Sequence, residues 1–431
     1  MKKVIDEILS RDYLEEGDRL VAGVSGGADS MALACILYDL KEYLSYDLVI
    51  MHIHHGLRGQ EADRDLNFVK TWAQDHQLPF VEKHVKMDQY AKDHKLSLEE
   101  AGRILRRQAL LDQAGKDGLV ALAHSQDDQA ETVLHRIIRG TGPDGLQAMV
   151  EKNGPILRPL LKVSRRELLA YLKERGQDYC IDSTNLEDDY TRNYIRHHIL
   201  KELKVLNPQI KASLGRLADL SALDKAYFQE EVQALYQNLV QEELDYGLLG
   251  VRDLEKLPPA LRFRLYREVC SRYGSKGMKD LAYKHLLAID QLLTLPSGKG
   301  IDIHGLRLEK TYDQVIFFQE KIYQPYKLQE GDQVCDFGFY AVKPIDGEGP
   351  KGLSWKAGEE LWLRPWEKGD RILMEGKRVK VKEIFQEKKI PRPLRERIPI
   401  LVGEEIYAVA GCYSDHWVKD GPRILIRRGK L

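Results

Sequence analysis

Ser25-Gly26-Gly27-Ala28-Asp29-Ser30 is a short run whose residue types suit phosphate chemistry. The apolar run Arg19-Leu20-Val21-Ala22-Gly23-Val24 leads into it, and Met31-Ala32-Leu33-Ala34-Cys35-Ile36-Leu37 leads away with helical spacing. A strand that turns through glycines into a helix N-terminus leaves several backbone N–H groups unpaired at the positive end of the helix dipole. Such a turn can cradle phosphate, because glycines admit the anion close to the backbone and Ser25 and Ser30 add hydroxyl donors. The lysine of G-x-x-x-x-G-K-[ST] is absent, which separates this loop from the common NTPase one. The same residue types also make ordinary tight turns. Asp29 reads either as a Mg²⁺ ligand or as the helix cap.

Further polar groups follow other strand-like runs, in His52-Ile53-His54-His55 and in His124-Ser125-Gln126-Asp127-Asp128. Asp128 and Glu131 stand at i, i+3 and share a helix face. Carboxylates there can take a proton from an amine, or merely complement the helix dipole. His52, His55 and His124 lack cysteine partners and the H-x₃-H helix spacing, so they read as polar lining rather than as zinc ligands. Arg103 and Arg106 lie on one helical face and suit phosphate or anticodon contact, or a solvated surface. Tyr190, Arg192, Asn193, Tyr194, Arg196, His197 and His198 interleave aromatic and basic groups, a mixture suited to splayed bases and phosphates. Cys35 falls on the apolar stripe of the first helix and reads as core.

These groups need a scaffold that brings them together. Strands are expected at Leu20–Val24, Asp47–Ile53, Pro79–Val85 and Gly118–Ala123, with helices at Asp29–Leu44, Glu61–His76 and Leu98–Ala114. Alternation of that kind predicts βαβ units and a parallel sheet with helices on both faces, whose ligands bind beyond the carboxyl ends of the strands. From Val163 to Leu293 the pattern is mostly helical, with Pro258-Pro259 starting one helix. Hairpin-like runs follow at Gly305–Lys310 and Gln314–Gln319, then a linker from Pro325 to Gly331. The last hundred residues carry short strands and a helix near Val381–Glu387. The expected division is 1–215, α/β with a Rossmann-like parallel sheet; 216–325, mainly helical; and 331–431, small α+β.

The ordered motifs resemble the PP-loop (N-type) ATP pyrophosphatases, on Ser25 to Ser30 and on His124-Ser125-Gln126-Asp127-Asp128-Gln129-Ala130-Glu131-Thr132. Within that superfamily the chain is similar to the tRNA(Ile)-lysidine synthetases. The likeness rests on His52 to Arg58, Glu99 to Arg106, Arg139 to Leu146, Arg158-Pro159-Leu160-Leu161, Asp182 to Asn185, and Arg192 to Arg196. Arg364-Pro365 with Gly369-Asp370-Arg371, and Phe385 with Pro391, extend it to the last domain. Gly102 replaces a usual alanine, and Arg107 stands where an aromatic residue commonly follows. The resemblance implies adenylation of a tRNA(Ile) cytidine in a CAU anticodon, attack by free L-lysine, and release of AMP and pyrophosphate. It implies ATP on Ser25, Gly26, Gly27, Ala28, Asp29, Ser30 and Ile53, with Mg²⁺ on Asp29. Asp127, Asp128 and Glu131 join Asp29 in catalysis, Asp128 as the main binder or base and Asp127 on metal or at the helix start. His55, Arg58, Arg103, Arg106, His124, Arg192, Asn193, Arg196, Arg364 and Arg371 face substrate or tRNA.

Composition narrows the classes further. Net charge is −1, yet Arg364 to Leu431 holds seventeen basic against ten acidic residues and Arg192 to Arg216 holds six against one. Such separated basic regions suit a polyanion, or solvate helix faces. The five cysteines are scattered without a C-x-x-C pair, which argues against a disulfide framework. The Met1-Lys2-Lys3-Val4-Ile5-Asp6-Glu7 start is too acidic for a signal peptide and no run is long enough to span a membrane, so the expected location is cytoplasmic. A homodimer stays open. The alternatives are a tRNA thiolase, for which Cys180 is the lone cysteine near a motif, a small-molecule synthetase, and a non-catalytic tRNA-binding protein.

Overall fold

Short apolar runs near the N-terminus form strands because both of their faces can be covered by helices. The computed structural model describes residues 2–11, 13–54, 60–181, 191–243, 246–274, 281–320, 324–327, 335–337, 340–345, 353–354, 360–409, 412–413 and 423–428. They belong to two units, Met1–Tyr227 and Phe228–Leu431. The first unit begins α1 (Lys2–Ser10), β1 (Arg19–Gly23), α2 (Ala28–Leu40), β2 (Asp47–His54), α3 (Gln60–Asp75) and β3 (Phe80–His84). It continues α4 (Met87–His94), α5 (Leu98–Ala114), β4 (Leu119–Ala121), α6 (Gln126–Arg139) and α7 (Pro143–Leu146). The sheet is completed by β5 (Lys152–Asn153) and β6 (Ile156–Leu157), followed by α8 (Arg165–Arg175). A short α9 (Thr191–Tyr194) runs into a π-helical turn at Ile195–Ile199, then α10 (Leu200–Leu206) and the thirty-residue α11 (Ile210–Leu239), inside which the unit boundary falls.

The strand order is β3-β2-β1-β4-β6-β5, parallel except for β5, which runs antiparallel to β6. Alternate residues serve opposite faces. Leu20, Ala22, Leu48 and Ile50 pack with α1, α2, α3 and α8, whereas Val21, Val49, Met51 and Val120 pack with Ala109 and Leu110 of α5. Burial on both faces explains strands that are apolar throughout. Helix α2 is buried from Met31 to Leu37, and Cys35 lies fully inside it, as its stripe position predicts.

In the second unit β7 (Gln241–Glu242), β8 (Tyr246–Gly250), β9 (Gly300–Ile303), β10 (Leu306–Thr311) and β11 (Gln314–Gln319) form an antiparallel sheet ordered β7-β8-β11-β10-β9. The stretch expected to be mostly helical thus contains strand β8, which forms because β11 pairs with it from Gly250↔Gln314 to Tyr246↔Phe318. That pairing is remote in sequence and invisible to local periodicity. Between the strands lie α12 (Val251–Lys256), α13 (Pro259–Tyr273), started by Pro258-Pro259 as expected, and α14 (Tyr283–Leu292). Leu249, Leu308, Val315 and Phe317 pack on α13 and α14, while Tyr246, Ile316 and Phe318 pack with Ile372, Phe385 and Ile400 farther along the chain.

The expected linker contains Pro325 and β12 (Tyr326–Lys327), and its residues 328–331 lie outside the described residues. Strands β13 (Cys335–Phe337), β14 (Tyr340–Ile345) and β15 (Leu353–Ser354) follow, then β16 (Trp362–Arg364), the partner of β12. The hairpin β17 (Arg371–Met374) and β18 (Lys377–Lys380) precedes α15, which spans Val381–Glu387 where a helix was expected.

Gly102 in α5 has a local explanation. A Cβ there would come 2.7 Å from Met87 Cε and 3.0 Å from its sulfur, so the thioether fills the space of the usual alanine methyl. That obstacle is the far end of a flexible side chain, and alanine gains about 1 kcal/mol of helix propensity over glycine. Gly102→Ala is therefore expected to hold or raise the urea unfolding midpoint; a clear drop would show Met87 to be immovable.

Candidate active site

The loop after β1 is shaped by backbone and hydroxyl bonds before any charge is considered. Val24 N–H donates to Met51 O at 2.9 Å, and Cys180 N–H donates to Gly26 O at 2.9 Å. Gly26 has φ +92°, the left-handed region in which a side chain is strained. Ser30 Oγ donates to Gly27 O at 2.8 Å and accepts from Ser25 N–H at 3.2 Å. Met31 N–H closes the first helical bond onto Gly27 O at 2.9 Å, leaving the N–H groups of Ala28, Asp29 and Ser30 at the open end of α2. The loop thus has the glycine turn and open helix N-terminus that a phosphate cradle needs.

Asp29 occupies the first turn of α2, and its Oδ1 is buried with no hydrogen-bond partner. Burial, with Asp128 and Asp127 adding repulsion against the attraction of Arg165 and Arg196, pushes its carboxyl up to about 6. An orphaned hard oxygen is what a divalent cation held mainly by phosphate oxygens would satisfy, so Asp29 fits Mg²⁺ as a single protein ligand. No group of three metal-ligating side chains occurs among the described residues.

Helix α6 presents the other carboxylates. Ser125 caps it in a reciprocal box: Ser125 N–H and Oγ both donate to Asp128 Oδ2, at 2.8 and 3.1 Å. The other Asp128 oxygen accepts from Arg192 Nη2 at 3.1 Å and lies 3.6 Å from Arg196 Nη2. Glu131 is 1% exposed and accepts from Arg192 Nε at 3.0 Å and from Arg196 Nε and Nη2 at 2.6 and 3.0 Å. Burial alone would raise the Asp128 carboxyl, but Arg192, the Ser125 N–H, His124 and Arg196 pull it below the usual range. Asp127 turns elsewhere: its Oδ2 accepts from Arg165 N–H at 3.1 Å, and its Oδ1 pairs with Lys211 Nζ.

The remaining expected site residues divide three ways. Ile53 is half-buried on β2, and beside it His52 shares a hydrogen bond between Nδ1 and Val24 O at 2.9 Å. His55 and Arg58 lie outside the described residues, as do Asp182 to Tyr190. Arg103 and Arg106 stand exposed on α5. Arg192 and Arg196, read as substrate contacts, are engaged with Asp128 and Glu131, and the π-helical turn that carries Arg196 is a form often found at functional sites. Asn193 is half-buried on the same segment, where Tyr194 stacks on His198 with centroids 4.6 Å apart. In the second unit Arg364 is committed to Asp370 through two bonds of 2.9 and 2.8 Å, while Arg371 is exposed.

His124 is partly buried, and its Nδ1 is sealed from solvent without a partner. Burial, together with Arg158, Arg192 and Arg106, pushes its ring down to about 4 against the pull of Asp128. Sequence reasoning did not single out Arg165 and Lys211, which anchor Asp127. Ser164-Arg165-Arg166-Glu167 does carry a capping-box spelling that would have located the start of α8. The lone cysteine near the loop is unsuited to sulfur transfer: burial, then Asp65, pushes the Cys180 thiol up to about 11.

Glu131 supports a stability test. Removing its carboxylate leaves Arg192 and Arg196, both partly exposed, with Asp128 as their remaining acidic partner, at a cost of about 1 to 3 kcal/mol. Glu131→Ala should lower the denaturant midpoint accordingly; an unchanged midpoint would mean that solvent already screens the pair.

Comparison with known proteins adds sequence-level findings. Residues 1–203 match the PP-loop domain family, and residues 361–423 match the TilS substrate C-terminal domain family. The chain is 37% identical to a tRNA(Ile)-lysidine synthase of Geobacter sulfurreducens, over 96% of this chain and 92% of that protein. It is 32% identical to a tRNA(Ile)-lysidine synthase of Caldanaerobacter subterraneus subsp. tengcongensis, over 95% of this chain and 93% of that one.

Proposed function

The chain belongs to the tRNA(Ile)-lysidine synthase family, an ATP-using group of tRNA-modifying ligases, and we propose how its residues divide that work. The substrates in this reading are ATP, free L-lysine and the wobble cytidine of a CAU anticodon, met in the cytoplasm. The observation that carries it is topological: β1 and β4 are parallel neighbours, so Asp29 at the start of α2 and Asp127 and Asp128 at the start of α6 follow adjacent strand ends. Both acids act on the Asp29 carboxyl. One crevice then holds both an activating loop and carboxylates for an amine, as a two-step ligation needs. A thiolase or a purely binding protein is not favoured, because relatives named tRNA(Ile)-lysidine synthase match across nearly the whole chain.

In the first step the cytosine O2 attacks the α-phosphorus of ATP, and the bond to pyrophosphate breaks. The N–H groups of Ala28 to Ser30 and the Ser25 hydroxyl receive the phosphates, joined by the Ser30 hydroxyl once it releases Gly27 O. Asp29 would hold Mg²⁺, which neutralises charge on the departing pyrophosphate. In the second step the lysine ε-nitrogen bonds to C2, and AMP leaves with the former O2. At a reference pKa near 10.4 only about one amine in a few thousand is neutral at pH 7, so the ammonium must first be bound and then relieved of a proton. Asp128 and Glu131 attract the ammonium, and Arg192 and Arg196 attract the lysine carboxylate once they release the pairs they make within the chain.

Labelled lysine should enter bulk bacterial tRNA when ATP is present. Asp29→Ala should abolish both that incorporation and tRNA-dependent pyrophosphate release while leaving tRNA affinity within about twofold. Folded wild-type protein that incorporates no label overturns the lysine assignment; a variant that loses tRNA affinity in step with activity makes the loop a structural turn.

In the same reading residues 1–215 do the chemistry, 216–325 assist tRNA binding, and 331–431 select the tRNA. Lys368, Arg371, Lys377, Lys382, Lys388 and Arg392 are exposed, which supports a phosphate-facing role. Replacing Lys382, Lys388 and Arg392 by Gln should flatten the salt dependence of tRNA binding by about one logarithmic unit per lost contact. An unchanged slope would return these side chains to plain solvation.

A further inference from the structure

His124 stands between β4 and the Ser125 cap of α6, at the carboxyl end of the sheet where ligands of such folds bind. Its Nδ1 is buried and carries no hydrogen bond, although Asp128, Arg158, Arg192 and Arg106 all act on the ring. Native proteins rarely leave a buried polar atom unpaired, and at the ligand-binding end of a parallel sheet a role in the reaction is one explanation for it. We infer that His124 is a specificity-determining residue whose unpaired ring nitrogen hydrogen-bonds the edge of the pyrimidine being modified once the RNA displaces what covers it. This rests on the tRNA-modifying reading given above.

Charge selects that partner among the three substrates. Against the pull of Asp128, three guanidiniums (Arg158, Arg192 and Arg106) act on the ring, so a neutral partner suits it better than an ammonium, which the carboxylates hold. The ATP phosphates are better served by the loop N–H groups than by an imidazole that burial holds uncharged. A nucleobase edge is neutral and alternates donors with acceptors, and a neutral imidazole offers one of each. Cytosine presents an exocyclic amine that can donate to Nδ1, where uracil presents a carbonyl oxygen. Bases modified by enzymes are splayed from their stack and read on this edge.

The test uses the full chain as wild type, His124→Leu and His124→Asn, with an anticodon stem-loop as the RNA. Loss of one such bond should lower kcat/KM for the stem-loop about tenfold in His124→Leu, with KM for ATP and for lysine within about twofold of wild type. His124→Asn places an amide near the Nδ1 position and should recover most of the loss. In wild type labelled with ¹⁵N-histidine, the His124 Nδ1 resonance, assigned by its absence in His124→Asn, should move when the stem-loop is added. A leucine variant that changes KM for ATP or lysine alone, or leaves the stem-loop kinetics unaltered, overturns the inference. If His124→Leu does not fold, the wild-type resonance decides, and a resonance indifferent to RNA overturns it. Wild type that shifts the resonance yet makes no lysidine would instead fault the lysine reading, leaving base contact standing.

Discussion

Glu131 is a carboxylate that water barely reaches, and the segment carrying Arg192 and Arg196 is placed to pair it. A buried anion is tolerated only when its oxygens are saturated by cations in good geometry. Here the cations are Arg192 and Arg196, some sixty residues farther along the chain, and four donor contacts from them reach Glu131 and Asp128 at 2.6–3.1 Å. Satisfying Glu131 therefore pins the 191–199 segment onto α6. Asp128 takes part while also capping its own helix, and Asp127 ties that helix start to Arg165 of α8 and Lys211 of α11.

Around this hub the titratable groups are pushed in opposite directions by their surroundings. Asp29 is raised toward 6 by burial and neighbouring acids, Asp128 is lowered by guanidiniums, and His124 is held neutral. Side chains of one kind are thus given different proton affinities by where they lie. In the loop after β1, Gly26 and the open turn of α2 hold backbone N–H dipoles at fixed positions.

In the second unit the count of basic residues overstates the cations free to meet a polyanion. Arg364 is spent on Asp370, Arg378 on Glu405 and Lys380 on Glu383. Arg397 is 3% exposed, lies over the Phe318 ring and donates to the Gln319 carbonyl. A long side chain can serve packing and backbone satisfaction as readily as recognition.

The sequence by itself determined whatever depends on neighbours within a turn or two. The β1–loop–α2 element, the alternation of the first unit, the start of α13, the span of α15 and the shared face of Asp128 and Glu131 all follow from local propensity and spacing. Strand β8 and the partners of Arg192, Arg196 and Arg364 were not legible, because each depends on what folding brings alongside. Motif reading could therefore identify the acids and the cations without saying that they answer one another. Only tertiary structure decided that pairing, because the interactions that set a buried charge act through space at a few ångströms, whatever the distance along the chain.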